Sequence, residues 1–168
     1  MNHPIDHRRR AFLGLHAQPV VARAIRPPWT TDESLAACTG CGACVAACPE
    51  RILRLDPAGL PKVDFSAGAC TFCGDCAKSC TAPVFDLARS PAWQVRISIS
   101  DRCLPKSGVL CESCRDICLD GAIGFARAPG RAPVPLISDS ACTGCGACVS
   151  VCPAGAISAA RHDGPLHA

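Results

Sequence analysis

The 168-residue sequence is poor in the side chains that usually build a large hydrophobic core. It has no tyrosine, two tryptophans and five phenylalanines, against 14 glycines and 15 prolines. Small domains with so few large apolar side chains usually depend on a metal or on disulfides for stability. No apolar run approaches the roughly 18 residues of a membrane-spanning helix, so we expect no transmembrane segment.

Side chains for bond-making chemistry are also scarce in the body of the chain. No phosphate-binding loop or nucleophile motif is present. All five histidines fall in the two tails, at His3, His7, His16, His162 and His167. We therefore expect a protein that is not an enzyme.

The positive charge belongs to one end of the chain. The formal net charge is +3, but residues 1–29 contain five arginines and one aspartate, so the remainder carries −1. A body without a basic face or a series of aromatic residues is not expected to bind nucleic acid.

The chain is rich in cysteine, with 16 residues in four blocks of four. Three blocks share the spacing Cys-x2-Cys-x2-Cys-x3-Cys, and the third block differs only in a first gap of seven residues. The blocks are Cys38, Cys41, Cys44 and Cys48; Cys70, Cys73, Cys76 and Cys80; Cys103, Cys111, Cys114 and Cys118; and Cys142, Cys145, Cys148 and Cys152. This is the ligand spacing of bacterial [4Fe-4S] ferredoxins, so the sequence predicts four [4Fe-4S] clusters with all sixteen cysteines as iron ligands.

Other uses of cysteine fit the spacing less well. A disulfide scaffold would suit an extracellular protein, but no secretory segment is present. Zinc sites pair Cys-x2-Cys units over longer gaps, which leaves zinc as a minor alternative for the Cys103 block. A thioredoxin-type motif would occur once rather than four times.

The blocks form a repeat. They are separated by 21, 22 and 23 residues, and Ala37–Val45 is identical to Ala141–Val149, which indicates duplication. A short helical turn is expected after the last cysteine of a block, followed by an apolar residue that covers the cluster, as at Ile52, Ile123 and Ile157. Alternation in residues 94–100 predicts a strand with Val95, Ile97 and Ile99 on one face.

These units predict an α+β fold of tandem bacterial-ferredoxin-like modules, two 2[4Fe-4S] units with little conventional core. The expected divisions are a partly disordered basic arm (1–34), module 1 (35–90), module 2 (91–161) and a C-terminal tail (162–168).

The way in which the blocks pair is open from spacing alone. Neighbouring blocks could form one module each, or the first and last blocks could enclose the middle two. We favour neighbouring blocks, in which the fourth cysteine of one block completes the partner's cluster. Cys80 then completes the first site and Cys48 the second.

The arginine-rich start, Arg9-Arg10-Ala11-Phe12-Leu13, looks like a twin-arginine export signal. An export signal needs an apolar stretch, and His16, Gln18 and Arg23 interrupt it. We expect a cytoplasmic protein whose arm is either solvated or docks an acidic partner or, weakly, an anionic membrane surface. Trp29 could anchor a partner or pack on the body.

The segment Ile25-Arg26-Pro27-Pro28-Trp29, the acidic pair Asp32-Glu33 and the stretched third block resemble the NapF family of ferredoxin-type accessory proteins of bacterial periplasmic nitrate reductase systems. The resemblance covers nearly the whole chain. It implies a cytoplasmic iron–sulfur protein that contacts the catalytic nitrate reductase subunit before export and helps to load its [4Fe-4S] centre.

Two roles then remain open, maturation of the reductase by cluster delivery and electron relay to an oxidoreductase. Delivery needs a labile cluster. The seven-residue gap predicts that Cys103 is loosely held, so that Cys103→Ala would abolish transfer and spare most iron.

Overall fold

The computed structural model describes residues 24–127, 129–130 and 132–162. Predictions for the chain before residue 24, for four of the five histidines and for the tail from residue 163 lie outside the described residues. Within those ranges, no helix has the length and apolar character that crossing a membrane requires.

The described chain is a mixed fold of short helices and small sheets. In chain order its elements are α1 Ala43–Ala47, β1 Leu53–Leu55, β2 Pro61–Val63, α2 Asp75–Lys78, β3 Val95–Ile99, α3 Ser113–Asp116, β4 Ile123–Ala126, β5 Val134–Ile137, α4 Ala147–Ser150 and β6 Ile157–Arg161. Short 3₁₀ helices cover Ser34–Ala37 and Leu104–Ser107.

Three antiparallel strand pairs organise the two halves. In the second half, β4 pairs with β5, and β3 pairs with β6 at the two ends of the segment. The first half contains the pair β1–β2. In β3, Val95 and Ile97 are buried while Arg96 is exposed, as the alternation predicts.

The turn predicted after the last cysteine is present at Cys48, Cys118 and Cys152, whose carbonyls accept bonds from the N–H groups three residues further on at 3.0–3.1 Å. Each α-helix lies earlier, contains the third cysteine of its block and ends before the fourth. In α1, Cys44 is buried on the helix and Cys48 is its extended C-cap. A helix turns its side chains by about 100° per residue, so ending it before the fourth cysteine lets that side chain leave the first site.

Residues 24–34 pack against the body. Pro27 is fully buried. Trp29 donates its backbone N–H to the Ala92 carbonyl (2.6 Å) and accepts a bond from the Asp86 N–H (2.9 Å). Its indole contacts the Phe72 ring edge to face, with centroids 6.2 Å apart. Trp29 therefore packs on its own chain.

The hydrophobic core includes the third cysteine of each block. Buried residues from both halves, among them Leu53, Phe65, Trp93 and Val95, form a continuous cluster that includes Cys76 and its counterparts on the other helices. Because the cysteines occupy core positions, the chain builds its interior around them with few aromatic residues.

Candidate iron-sulfur sites

The structure brings the sixteen cysteines together in four sets. Each set combines three cysteines of one block with the fourth of its neighbour. Site 1 contains Cys38, Cys41, Cys44 and Cys80; site 2 contains Cys70, Cys73, Cys76 and Cys48; site 3 contains Cys103, Cys111, Cys114 and Cys152; and site 4 contains Cys142, Cys145, Cys148 and Cys118. This is the neighbouring-block arrangement.

Three of the sites surround cavities of similar size. Each of the three has a volume of about 20 Å³. Leu55 and Pro61 help to line site 1, Ile52 and Phe72 line site 2, and Ile123 lines site 4. The apolar residues predicted at positions 52 and 123 thus lie against cysteines.

At site 3 the structure differs from the expectation that the seven-residue gap leaves Cys103 loosely held. Cys103 is 8% exposed, and the residues after it form the 3₁₀ helix Leu104–Ser107. Lys106 donates its backbone N–H to the Cys103 carbonyl at 2.9 Å. The exposed end of the insertion is instead Leu110, next to Cys111. The long gap is locally ordered because it folds into its own hydrogen-bonded turn.

At sites 1, 2 and 4 the cysteine loop turns into its helix through a left-handed glycine, namely Gly42 (φ 76°), Gly74 (φ 78°) and Gly146 (φ 82°). At site 3 the corresponding residue is Glu112, with φ −130°. Only glycine adopts this conformation without a steric cost. The turn lets three cysteines only two residues apart face one space.

Backbone N–H groups point at two of the completing sulfurs. Ala122 donates to Cys118 Sγ and Ala156 to Cys152 Sγ, both at 3.3 Å. These alanines stand four residues after the cysteine and are 2% exposed. Sequence reasoning missed both alanines, and the shared offset was the signal that could have found them. Bonds of this type stabilise charge on ligand sulfur and tune cluster potential.

Burial dominates the acid–base behaviour of the cysteines. Removal from water, helped by neighbouring thiolates, raises the pKa of Cys70 to about 12 and that of Cys76 to about 11. Burial likewise raises the pKa of Cys148 to about 12. Exposed Cys41 behaves oppositely, because the Ala43 N–H lowers the pKa of its thiol. Buried thiolates therefore need a cationic partner, and metal loading would release protons.

Thiols surrounding an apolar space form a donor set that fits a [4Fe-4S] cluster. In the described parts of the chain, no group of three or more His, Cys, Asp or Glu is close enough to hold a single metal ion. When bound, a cluster would supply one-electron chemistry or be passed to an acceptor.

The sites differ in solvent access. The second cysteine of the block is exposed at sites 1 and 2, as Cys41 and Cys73, but only partly exposed at sites 3 and 4. The third cysteine is buried in all four sites. Sites 1 and 2 therefore each present a cysteine side chain at the surface.

Comparison with known families agrees with this chemistry. Residues 37–84 match the family described as "4Fe-4S dicluster domain", and residues 135–158 match "4Fe-4S binding domain". The first match spans sites 1 and 2, and the second contains the last cysteine block.

Similarity to whole proteins is more specific. "Ferredoxin-type protein NapF" of Escherichia coli (strain K12) is 39% identical over 157 residues, which cover 92% of this chain and 95% of that protein. The chain belongs to the NapF family of ferredoxin-type proteins. The NapF protein of Haemophilus influenzae is 45% identical over 135 residues, covering 79% of this chain and 77% of its own length.

A further relative carries a different name. "Methylamine utilization ferredoxin-type protein MauM" of Paracoccus denitrificans is 34% identical over 162 residues, covering 84% of this chain and 72% of that protein. Proteins of this general design are thus named for more than one metabolic system, and the NapF likeness is the higher in identity.

Proposed function

We propose that this chain is a cytoplasmic, non-enzymatic accessory protein with four [4Fe-4S] clusters. It binds the catalytic subunit of a periplasmic nitrate reductase and assists its iron–sulfur loading before export. The observation that carries this proposal is the NapF likeness over 92% of the chain. The four sets of thiols agree with it.

Solvent access favours module 1 as the donor of a cluster. Delivery requires acceptor thiolates to displace the donor's cysteines, a ligand exchange in which iron and sulfide keep their oxidation states. Exchange begins at a sulfur that an acceptor can reach, and Cys41 and Cys73 are exposed. We therefore propose sites 1 and 2, rather than the Cys103 block, as the source of the delivered cluster.

The test is the iron content of the catalytic precursor, isolated anaerobically from cells with and without this chain. We expect precursor from cells lacking the chain to be deficient by about four iron atoms, one cluster. Precursor that is fully loaded without the chain would overturn the maturation role.

Matched cysteine variants locate the delivery site. Cys41→Ser and Cys145→Ser alter the same position of two blocks that share nine residues. Loss of site 1 should reduce the iron in the precursor, and loss of site 4 should leave it near the wild-type level. Equal effects, or a larger effect of Cys145→Ser, would contradict delivery from module 1.

Electron relay is the second candidate function. It is favoured by the backbone bond from the Cys70 N–H to the Cys145 carbonyl at 2.8 Å, which joins a site of one module to a site of the other. Precursor that is fully loaded in cells without the chain, but reduced more slowly, would indicate relay.

A further inference from the structure

An aromatic joint holds the two modules together. Trp93 packs edge to face on Phe72 (5.3 Å between centroids) and on Phe65 (5.9 Å), which both belong to module 1. Its indole N–H donates to the Thr143 carbonyl at 2.9 Å, inside the last cysteine block. One 6% exposed side chain thus bridges module 1 and the loop of site 4.

Phe65 completes the joint by lying on Gly146. A Cβ atom placed on Gly146 would come within 2.2 Å of the Phe65 ring. The absence of a side chain at this position therefore permits the ring to sit directly on the loop that precedes α4. Nearby Gly144 is similarly close to β3, where a Cβ would lie 2.8 Å from the Val95 carbonyl oxygen.

These contacts bring two cysteine loops from different modules into direct hydrogen-bonding contact. The Cys70 N–H of site 2 donates to the Cys145 carbonyl of site 4 at 2.8 Å. Within the modules, α1 packs on α2 and α3 packs on α4. Sites 1 and 2 are therefore neighbours, as are sites 3 and 4.

We propose that the joint of Trp93, Phe65 and Gly146 is a positioning device that sets site 2 against site 4, so that the four sites follow the spatial order 1–2–4–3. Along the sequence, by contrast, the cysteine blocks that begin the sites run in the order 1–2–3–4. The proposal rests on the four-cluster assignment but not on the identity of the partner. If each site held a cluster, this order would let an electron from a one-electron donor at one module pass between neighbouring clusters to a one-electron acceptor at the other.

Gly146→Ala tests the joint, and the repeat provides its control. Gly42 is the corresponding glycine of the first block and has nearly the same backbone angle, φ 76° against 82°. A Cβ on Gly42 would meet only the Leu55 Cδ1 atom, at 4.0 Å. Both substitutions impose the same backbone strain, but only Gly146→Ala displaces Phe65.

The first readout is hydrogen exchange at the Cys70 amide in the anaerobic, cluster-loaded protein. In Gly146→Ala we expect this amide to exchange at least about tenfold faster than in wild type, because its hydrogen bond opens. Gly42→Ala should leave the rate unchanged. Equal exchange in the two variants would overturn the proposal.

The second readout is the EPR spectrum of the dithionite-reduced protein. Adjacent reduced clusters broaden each other's signals, so Gly146→Ala should lose the part of the broadening that acts between modules. Gly42→Ala should keep it. Broadening that is unaltered in Gly146→Ala would show that site 2 and site 4 are not the coupled pair.

Trp93→Phe keeps the test decisive if Gly146→Ala fails to fold. It retains an aromatic ring and removes the N–H that bonds Thr143. We expect faster exchange at Cys70 than in wild type, and an unchanged rate would contradict the joint. An iron content well below about 16 atoms per wild-type chain would refute the four-cluster assignment. The exchange rate at Cys70 would still show, in that case, whether Trp93, Phe65 and Gly146 hold the two modules together.

Discussion

Ile52 should control how fast a cluster bound at site 2 is lost. Its side chain is 2% exposed and lies against the cavity lined by Cys48 and Cys70. Ile→Ala in a core costs about 2–5 kcal/mol through lost transfer free energy and the cavity left behind. Because Ile52 is almost fully buried, we take the free-energy cost of Ile52→Ala to be about 3 kcal/mol. Removal of one methylene in Ile52→Val should cost about 1 kcal/mol.

The assay is anaerobic release of iron to a chelator, followed by the loss of visible cluster absorption. If the chelator reacts with a transiently opened form that recloses quickly, the rate follows the population of that form. About 3 kcal/mol then corresponds to about 150-fold faster release for Ile52→Ala, and about 1 kcal/mol to about fivefold for Ile52→Val. Only the phase that comes from site 2 should accelerate.

Leu119→Ala is the control, because Leu119 is 100% exposed and surface substitutions usually change stability by less than about 0.5 kcal/mol. It should release iron at close to the wild-type rate. The reasoning is refuted if Ile52→Ala remains within threefold of wild type, or if Ile52→Val accelerates release as much as Ile52→Ala does.

Three further predictions follow from the described contacts. Cys103→Ser and Cys152→Ser should each remove the same cluster, so the double variant should lose about four iron atoms; a loss of about eight would contradict site 3. Removing residues 1–23 should preserve iron content, whereas removing residues 1–29 should lower it, because buried Pro27 and the packed Trp29 are lost; equal iron contents would refute this structural role. The N–H of Leu60 and the Arg26 guanidinium (Nη1–Oδ2 2.8 Å) hold the pKa of the Asp56 carboxyl below its ordinary value. The ionised Asp56 therefore stabilises the fold above its unfolded-state pKa, and this stabilisation is lost as pH falls through the lower folded-state pKa. Asp56→Asn should flatten the acid side of the profile of unfolding free energy against pH. An unchanged slope there would exclude this contribution.

The grouping of the cysteines and the chemistry that it predicts are readable from the sequence because they depend on local spacing. Three cysteines two residues apart, as in Cys70–Cys76, already specify a turn that aims three thiols at one space. The alternation of Val95 and Ile97 likewise specifies which face of β3 is buried. Such features need only the covalent geometry of a few consecutive residues.

Local order inside the third block was not readable in the same way. A seven-residue gap between Cys103 and Cys111 indicates a long loop, and long loops are often poorly held. The gap is nevertheless partly ordered, because Leu104–Ser107 forms a 3₁₀ helix and Cys103 is buried. Whether an insertion packs depends on the surface that it meets, which the spacing of cysteines does not describe.

Trp29 shows the same limit at the start of the chain. Two prolines followed by a tryptophan can equally present the indole to a partner protein or pack it against the same chain. The contact that decides is with Phe72, more than forty residues away. A basic composition before residue 24 gave no indication that residues 24–34 would be packed.

By itself the sequence determined the cysteines, their grouping into blocks, the repeat and the likeness to the NapF family, since all of these are properties of residue identity and short spacing. Tertiary structure alone decided which distant cysteine completes each set and that site 2 meets site 4. Those relations arise where Trp93 and Phe65 pack across the two modules, and contacts between residues so far apart in the chain depend on the shape of both surfaces.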